Sequence, residues 1–85
     1  MQTDRIVTLL RNAIARFEAQ PFDWFACLRE EHFFEELGKP GSDGDYCQIE
    51  LEVLDRFMDK DVEVLHLLGI ARDEKREFGA DLFVC

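Results

Sequence analysis

The sequence predicts an α+β fold: two N-terminal helices packed on one face of a three-stranded antiparallel β-meander. Three observations carry this reading. Apolar residues recur at helical spacing from Ile6 to Phe17; Gly, Pro, Ser and Asp concentrate over residues 38–45; and beyond that break the apolar period shortens to two. A chain of 85 residues is too short for two independent cores, so residues 1–85 read as a single small acidic domain. Apolar residues make up 47% of it, eight of them Phe, which is enough to bury a core and excludes a wholly disordered chain.

Helix 1 is expected near residues 4–20. Ile6, Leu9, Leu10, Ala13, Ile14 and Phe17 form one stripe, Thr3 or Asp4 can cap the start, and Pro21 disfavours helical geometry in the residue before it. Helix 2 is expected near 23–37, with Asp23 as its cap and Gly38 as its left-handed terminator. Its apolar set is Trp24, Phe25, Leu28, Phe33, Phe34 and Leu37, and Glu30, Glu31, Glu35 and Glu36 fill the remaining arc. Residues 38–45, GKPGSDGD, form a loop.

Strand 1 is expected near 46–55, because Cys47, Ile49, Leu51 and Val53 alternate with Gln48, Glu50 and Glu52. Strand 2, near 62–71, is apolar on both parities, as suits a central strand, and strand 3 follows near 78–84. The competing arrangement makes residues 47–58 a third helix, through Leu51, Leu54, Phe57 and Met58, and yields an all-α bundle of three or four helices. The four-fold alternation decides for the strand.

The formal charge is −9, spread unevenly: residues 1–20 carry +1, residues 21–46 carry −5 and residues 47–85 another −5. Such a surface repels a phosphate backbone, so nucleic acid is not the expected partner, whereas a basic protein surface is attracted. Cys27, Cys47 and Cys85 are odd in number and form no CxxC pair, which fits reduced thiols. The first twenty residues lack the apolar core and cleavage site of a signal peptide, and no run of about 18 apolar residues could span a membrane. The expected compartment is the cytoplasm, with no membrane association.

Several constellations bear on chemistry. His32 and Glu36, at i and i+4 on the expected second helix with Glu35 beside them, could donate two metal ligands, but a working site needs more. Asp43-Gly44-Asp45 opens like a calcium loop, yet Gln48 and Leu54 stand where its glycine and bidentate glutamate belong. Ser42, the sole serine, has no nucleophile elbow around it, and GKPGSDG lacks the spacing of a phosphate-binding loop. Cys47 and His66 could form a thiolate–imidazole pair if both face the helices, although a buried cysteine beside a core histidine is the plainer account. No catalytic residue, metal ligand or cofactor is assigned, and the chain is not expected to be an enzyme.

The feature that points to function is a surface. With Cys47, Ile49, Leu51 and Val53 turned to the helices, Tyr46, Gln48, Glu50, Glu52 and Leu54 turn away; the matching outward set is Glu63, Leu65 and Leu67 on strand 2 and Asp81, Phe83 and Cys85 on strand 3. The uncovered face then presents Leu65, Leu67 and Phe83 inside a rim of Glu50, Glu52, Glu63 and Asp81, the anatomy of an interaction site. The reading that follows is a non-enzymatic protein–protein interaction module, of inhibitor or immunity type or self-associating, whose partner is a basic protein surface or a second copy. The alternatives are a small enzyme or metal protein built on His32/Glu36 or Cys47/His66, and a DNA mimic using Glu30, Glu31, Glu35 and Glu36 as phosphate analogues.

Overall fold

The computed structural model describes residues 3–38 and 46–85. Helix α1 spans Thr3–Glu18 and is followed by a five-residue helix α2, Phe22–Ala26, and a single 3-10 turn at Arg29–Glu31. Four strands follow, β1 (His32–Leu37), β2 (Cys47–Asp59), β3 (Val62–Arg72) and β4 (Glu77–Val84). They form one antiparallel sheet in the order β1-β2-β3-β4. The mixed helix-and-sheet class therefore holds and an all-α bundle does not, but the sheet has four strands and only α1 is a long helix.

α1 forms as its pattern dictates. Ile6, Leu10, Ala13 and Phe17 are buried against the sheet while Arg5, Asn12 and Arg16 remain exposed. The helix already includes Thr3, so Thr3 and Asp4 lie in its first turn, and the Thr3 hydroxyl accepts a hydrogen bond from Arg76 Nη1.

The expected second helix is the main correction. It stops at Ala26, begins after Pro21 with no side-chain cap, and holds Asp23 inside its first turn. Glu30 and Glu31 then adopt left-handed backbone, with φ of 55° and 58°, which reverses the chain out of helical geometry into β1. From His32 to Leu37 the burial alternates residue by residue, because the segment pairs with β2: Phe33 stands opposite Leu51, and Leu37 opposite Cys47. Pairing with a half-buried strand outweighs the helix propensity of its glutamates. Gly38 is left-handed as expected, with φ 78°, but it ends a strand. The loop expected at 38–45, with Ser42 and Asp43-Gly44-Asp45, falls outside the described residues from position 39 onward.

The core lies between α1 and one sheet face, where Cys47, Ile49, Leu51 and Val53 of β2 meet Leu65, Leu67 and Ala71 of β3 and Leu82 of β4. Phe25 is buried beneath an aromatic group in which Phe17 stacks on Trp24 and meets Phe33 edge-on at 5.5 Å. The β3–β4 turn is held by Asp73, whose carboxylate accepts the backbone N–H groups of Lys75 at 2.8 Å and Arg76 at 2.7 Å. These bonds hold the Asp73 carboxyl below its usual pKa. β1 pairs with β2 only as far as Glu52, and β4 with β3 only up to Leu65. The rest of β2 and β3, joined by the turn at Lys60 and Asp61, projects as a two-stranded ribbon beyond its neighbours.

Candidate functional site

Residues opposite one another in an antiparallel ladder share a face, so the register assigns every side chain. Val53 pairs with Leu67, which pairs with Leu82, and this row faces α1. The neighbouring row runs from His32 through Glu52 and Leu68 to Asp81, and the next from Phe34 through Glu50 and Ile70 to Gly79. These rows face away from the helices.

Leu65 and Leu67, expected on this open face, are instead fully buried against α1. β3 is apolar on both parities, so its hydrophobicity could not say which side turns in. A bulge between Val53 and Asp55 also shifts the pairing, so an alternation counted through residue 54 does not carry into the ribbon. Glu63 lies on the ribbon, on the side of α1, where it meets Arg56 Nη1 at 3.6 Å. It is no part of the rim. Glu50, Glu52, Asp81 and Phe83 do turn outward, and Phe83 is 60% exposed.

The open face therefore has a different apolar content from the one read in sequence. Phe34, Leu68, Ile70 and Phe83 occupy it, and Phe57 and Val64 continue it onto the ribbon. His66 also faces out; its ring lies parallel to Phe83 at 4.4 Å and its Nε2 is 2.8 Å from Asp81 Oδ1. At the other end Arg72 bridges two strands, with Nη2 2.7 Å from Glu50 and 3.1 Å from Glu77, while its Nε is buried without a partner among the described residues. His32 Nε2 lies 3.7 Å from the second oxygen of Glu50. Gln48 donates to the Tyr46 hydroxyl at 2.6 Å.

The groups considered for chemistry are kept apart. On a strand, His32 and Glu36 stand about 13 Å apart along the chain, too far to share one ion. Among the described residues no group of three or more His, Cys, Asp or Glu side chains is placed to hold a metal ion. Cys47 is buried on the helix side and His66 is on the opposite face, so the thiolate–imidazole pair of the alternative reading does not form, and the histidine expected in the core beside Cys47 is not there. Burial pushes the Cys47 thiol up from 9.0, with a backbone N–H of Arg72 opposing and the Asp73 charge reinforcing the shift. That is the reverse of an activated nucleophile. Glu35 turns to the helix side and accepts from Arg16 Nη2 at 3.0 Å while Glu36 turns outward, so the acids proposed as a phosphate-like row are divided between two faces.

No helix is long and apolar enough to cross a membrane among the described residues. No family model, curated protein or solved structure matches the chain.

Proposed function

We propose that this chain is a protein-interaction module that docks a basic protein surface on the helix-free face of its sheet. The observation that carries the reading is the charge of that face. Six carboxylates, Glu36, Glu50, Glu52, Asp55, Glu77 and Asp81, share that face with Phe34, Leu68, Ile70 and Phe83, Glu50 and Glu52 standing between Phe34 and the two β3 side chains, and Arg72 is the one arginine among them. The apolar side chains supply contact area, and the carboxylates interspersed with them select and steer a cationic partner. The same excess argues against a second copy packed face to face, since that would set like charges against each other across the interface. Phe34, at 44% exposed, and Phe83 are the anchors a partner would cover.

The test is affinity capture from source cells with the wild-type chain and with Phe34→Lys and Phe83→Lys variants whose fold is verified by circular dichroism. Basic proteins retained at low salt, weakened at moderate salt and lost with either variant would support the reading. Identical recovery by all three baits would end it.

A further inference from the structure

Beyond that face, we propose that two copies of this chain join through the free edge of β4, antiparallel about a two-fold axis at Ala80, into one eight-stranded sheet. Among the described residues nothing pairs with either edge of the sheet, and the two edges differ. β1 carries His32, Glu35 and Glu36 along six residues, the kind of charge that protects an edge from pairing. β4 is longer, and between its two charged residues, Glu77 and Asp81, runs the uncharged sequence Phe78-Gly79-Ala80. Beside that stretch an apolar groove of about 460 Å3 runs between the strand and α1, lined on the helix by Val7, Ile14 and Ala15 and on the strand by Phe78 and Ala80. An unpaired strand edge next to an apolar groove is built to receive another strand.

The sequence of β4 selects the register. Opposed residues must share a face, so the two-fold axis must pass through a residue rather than between two. Centring on Asp81 opposes that aspartate to itself, and centring on Gly79 opposes Glu77 to Asp81; both place like charges side by side. Centring on Ala80 opposes Phe78 to Leu82 on the core side and Gly79 to Asp81 on the open side, with no like-charge pair, and pairs residues 77–83; centring on Leu82 also avoids like charges but pairs only residues 80–84.

α1 independently agrees with that axis. Ile14 stands over Gly69, and Gly69 pairs with Ala80, so Ile14 and Ala15 lie beside the proposed two-fold. The operation sets the two α1 helices antiparallel about that point, which brings Arg11 of each copy opposite Glu18 of the other. Both side chains line the groove, both are exposed, and neither makes an ion pair within its own chain among the described residues. The contact is isologous and closes at two copies. A foreign extended strand would find no reason in this groove for a cation and an anion equally spaced about its centre.

Analytical ultracentrifugation of the full chain across a dilution series, with charge-swap variants, tests this. The wild type should sediment as a concentration-dependent dimer. Arg11→Glu and Glu18→Arg should each raise the dissociation constant about tenfold, since two attractive contacts become two repulsive ones. The double variant should recover the wild-type value, and so should an equimolar mixture of the two single variants, a result no folding defect can produce. Amide exchange in Phe78–Leu82 should slow as the concentration rises. A wild type that stays monomeric throughout, a dimer indifferent to the swaps, or β4 exchange that ignores concentration would each overturn the proposal.

Discussion

Ile14 occupies the space that a side chain at position 69 would need: a Cβ built on Gly69 would lie 2.5 Å from Ile14 Cδ1, while Ile14 Cγ1 would lie at 3.7 Å. Ile14 of the helix thus packs onto β3 at a position where the strand has no side chain. The atom in conflict is a single terminal methyl.

Gly69→Ala should therefore destabilise the protein by about 1–2 kcal/mol, the usual penalty for overpacking a close contact. In an Ile14→Val background, which removes that methyl, the same change should cost little, because the remaining contact is an ordinary one and alanine is the better strand residue. Urea unfolding of the four chains of this double-mutant cycle measures the coupling. Equal costs of Gly69→Ala in both backgrounds would mean that Ile14 does not control the approach.

Leu67 and Phe83 should separate core from surface. Leu67, fully buried between α1 and the sheet, should cost about 2–5 kcal/mol when changed to Ala, whereas Phe83→Ala should cost less than about 1 kcal/mol because most of the ring is in solvent. Chemical denaturation of the two variants reads this directly, and similar losses in both would refute the assignment of faces.

That assignment was only partly legible in the sequence. α1 and the first half of β2 were readable because each has one apolar period within one segment, and every predicted inward residue of β2 is buried. In β3 the period is ambiguous, and its three polar residues do not share a parity: His66 and Arg72 turn outward, whereas Glu63 lies on the helix side of the ribbon. His66 and Arg72 would have placed Leu65 and Leu67 inside only if Glu63, which lies beyond the reach of β1 and β4, were set aside. β1 was concealed for a different reason. Phe33, Glu36 and Leu37 satisfy a helical pattern, and what overrides it is long-range, the pairing with β2 together with two left-handed glutamates that no local propensity favours. The open-face residues Phe34, Leu68 and Ile70 were missed through these same two errors.

Cys47 should make stability depend on alkaline pH. Burial raises its folded-state pKa above 9.0, so the thiol's contribution is fully present below the unfolded pKa and is lost as pH rises through the folded one. The stability advantage of the wild type over Cys47→Ala should be constant up to about pH 8 and should shrink by about pH 10. Unfolding free energies of the two chains over that range test it; an advantage that grows with pH would show that the folded state favours the thiolate.

The turn at the tip of the ribbon offers a stabilising substitution. Lys60 and Asp61 join β2 to β3 as a two-residue connection between Asp59 and Val62, with φ of 49° and 69°. Positive φ at both central residues is the geometry that suits the right-handed twist of a hairpin, and its second position is one that glycine fills without a Cβ clash. Here that position is an aspartate, so the turn has the right shape and a strained occupant. The ribbon has little else to hold it, because neither β1 nor β4 pairs with it and Leu54, Phe57, Met58 and Val62 are exposed along it. Asp61→Gly relieves the left-handed strain, offset in part by the greater freedom glycine gives the unfolded chain. The net gain should be about 0.5–1 kcal/mol, largest for local opening of the ribbon. Native-state amide exchange should register it as slower exchange at Phe57 and Val64, with Ile49 and Leu51 less affected. Faster exchange at Phe57 in the variant would mean that the aspartate itself stabilises the turn and that the strain assigned to it is absent.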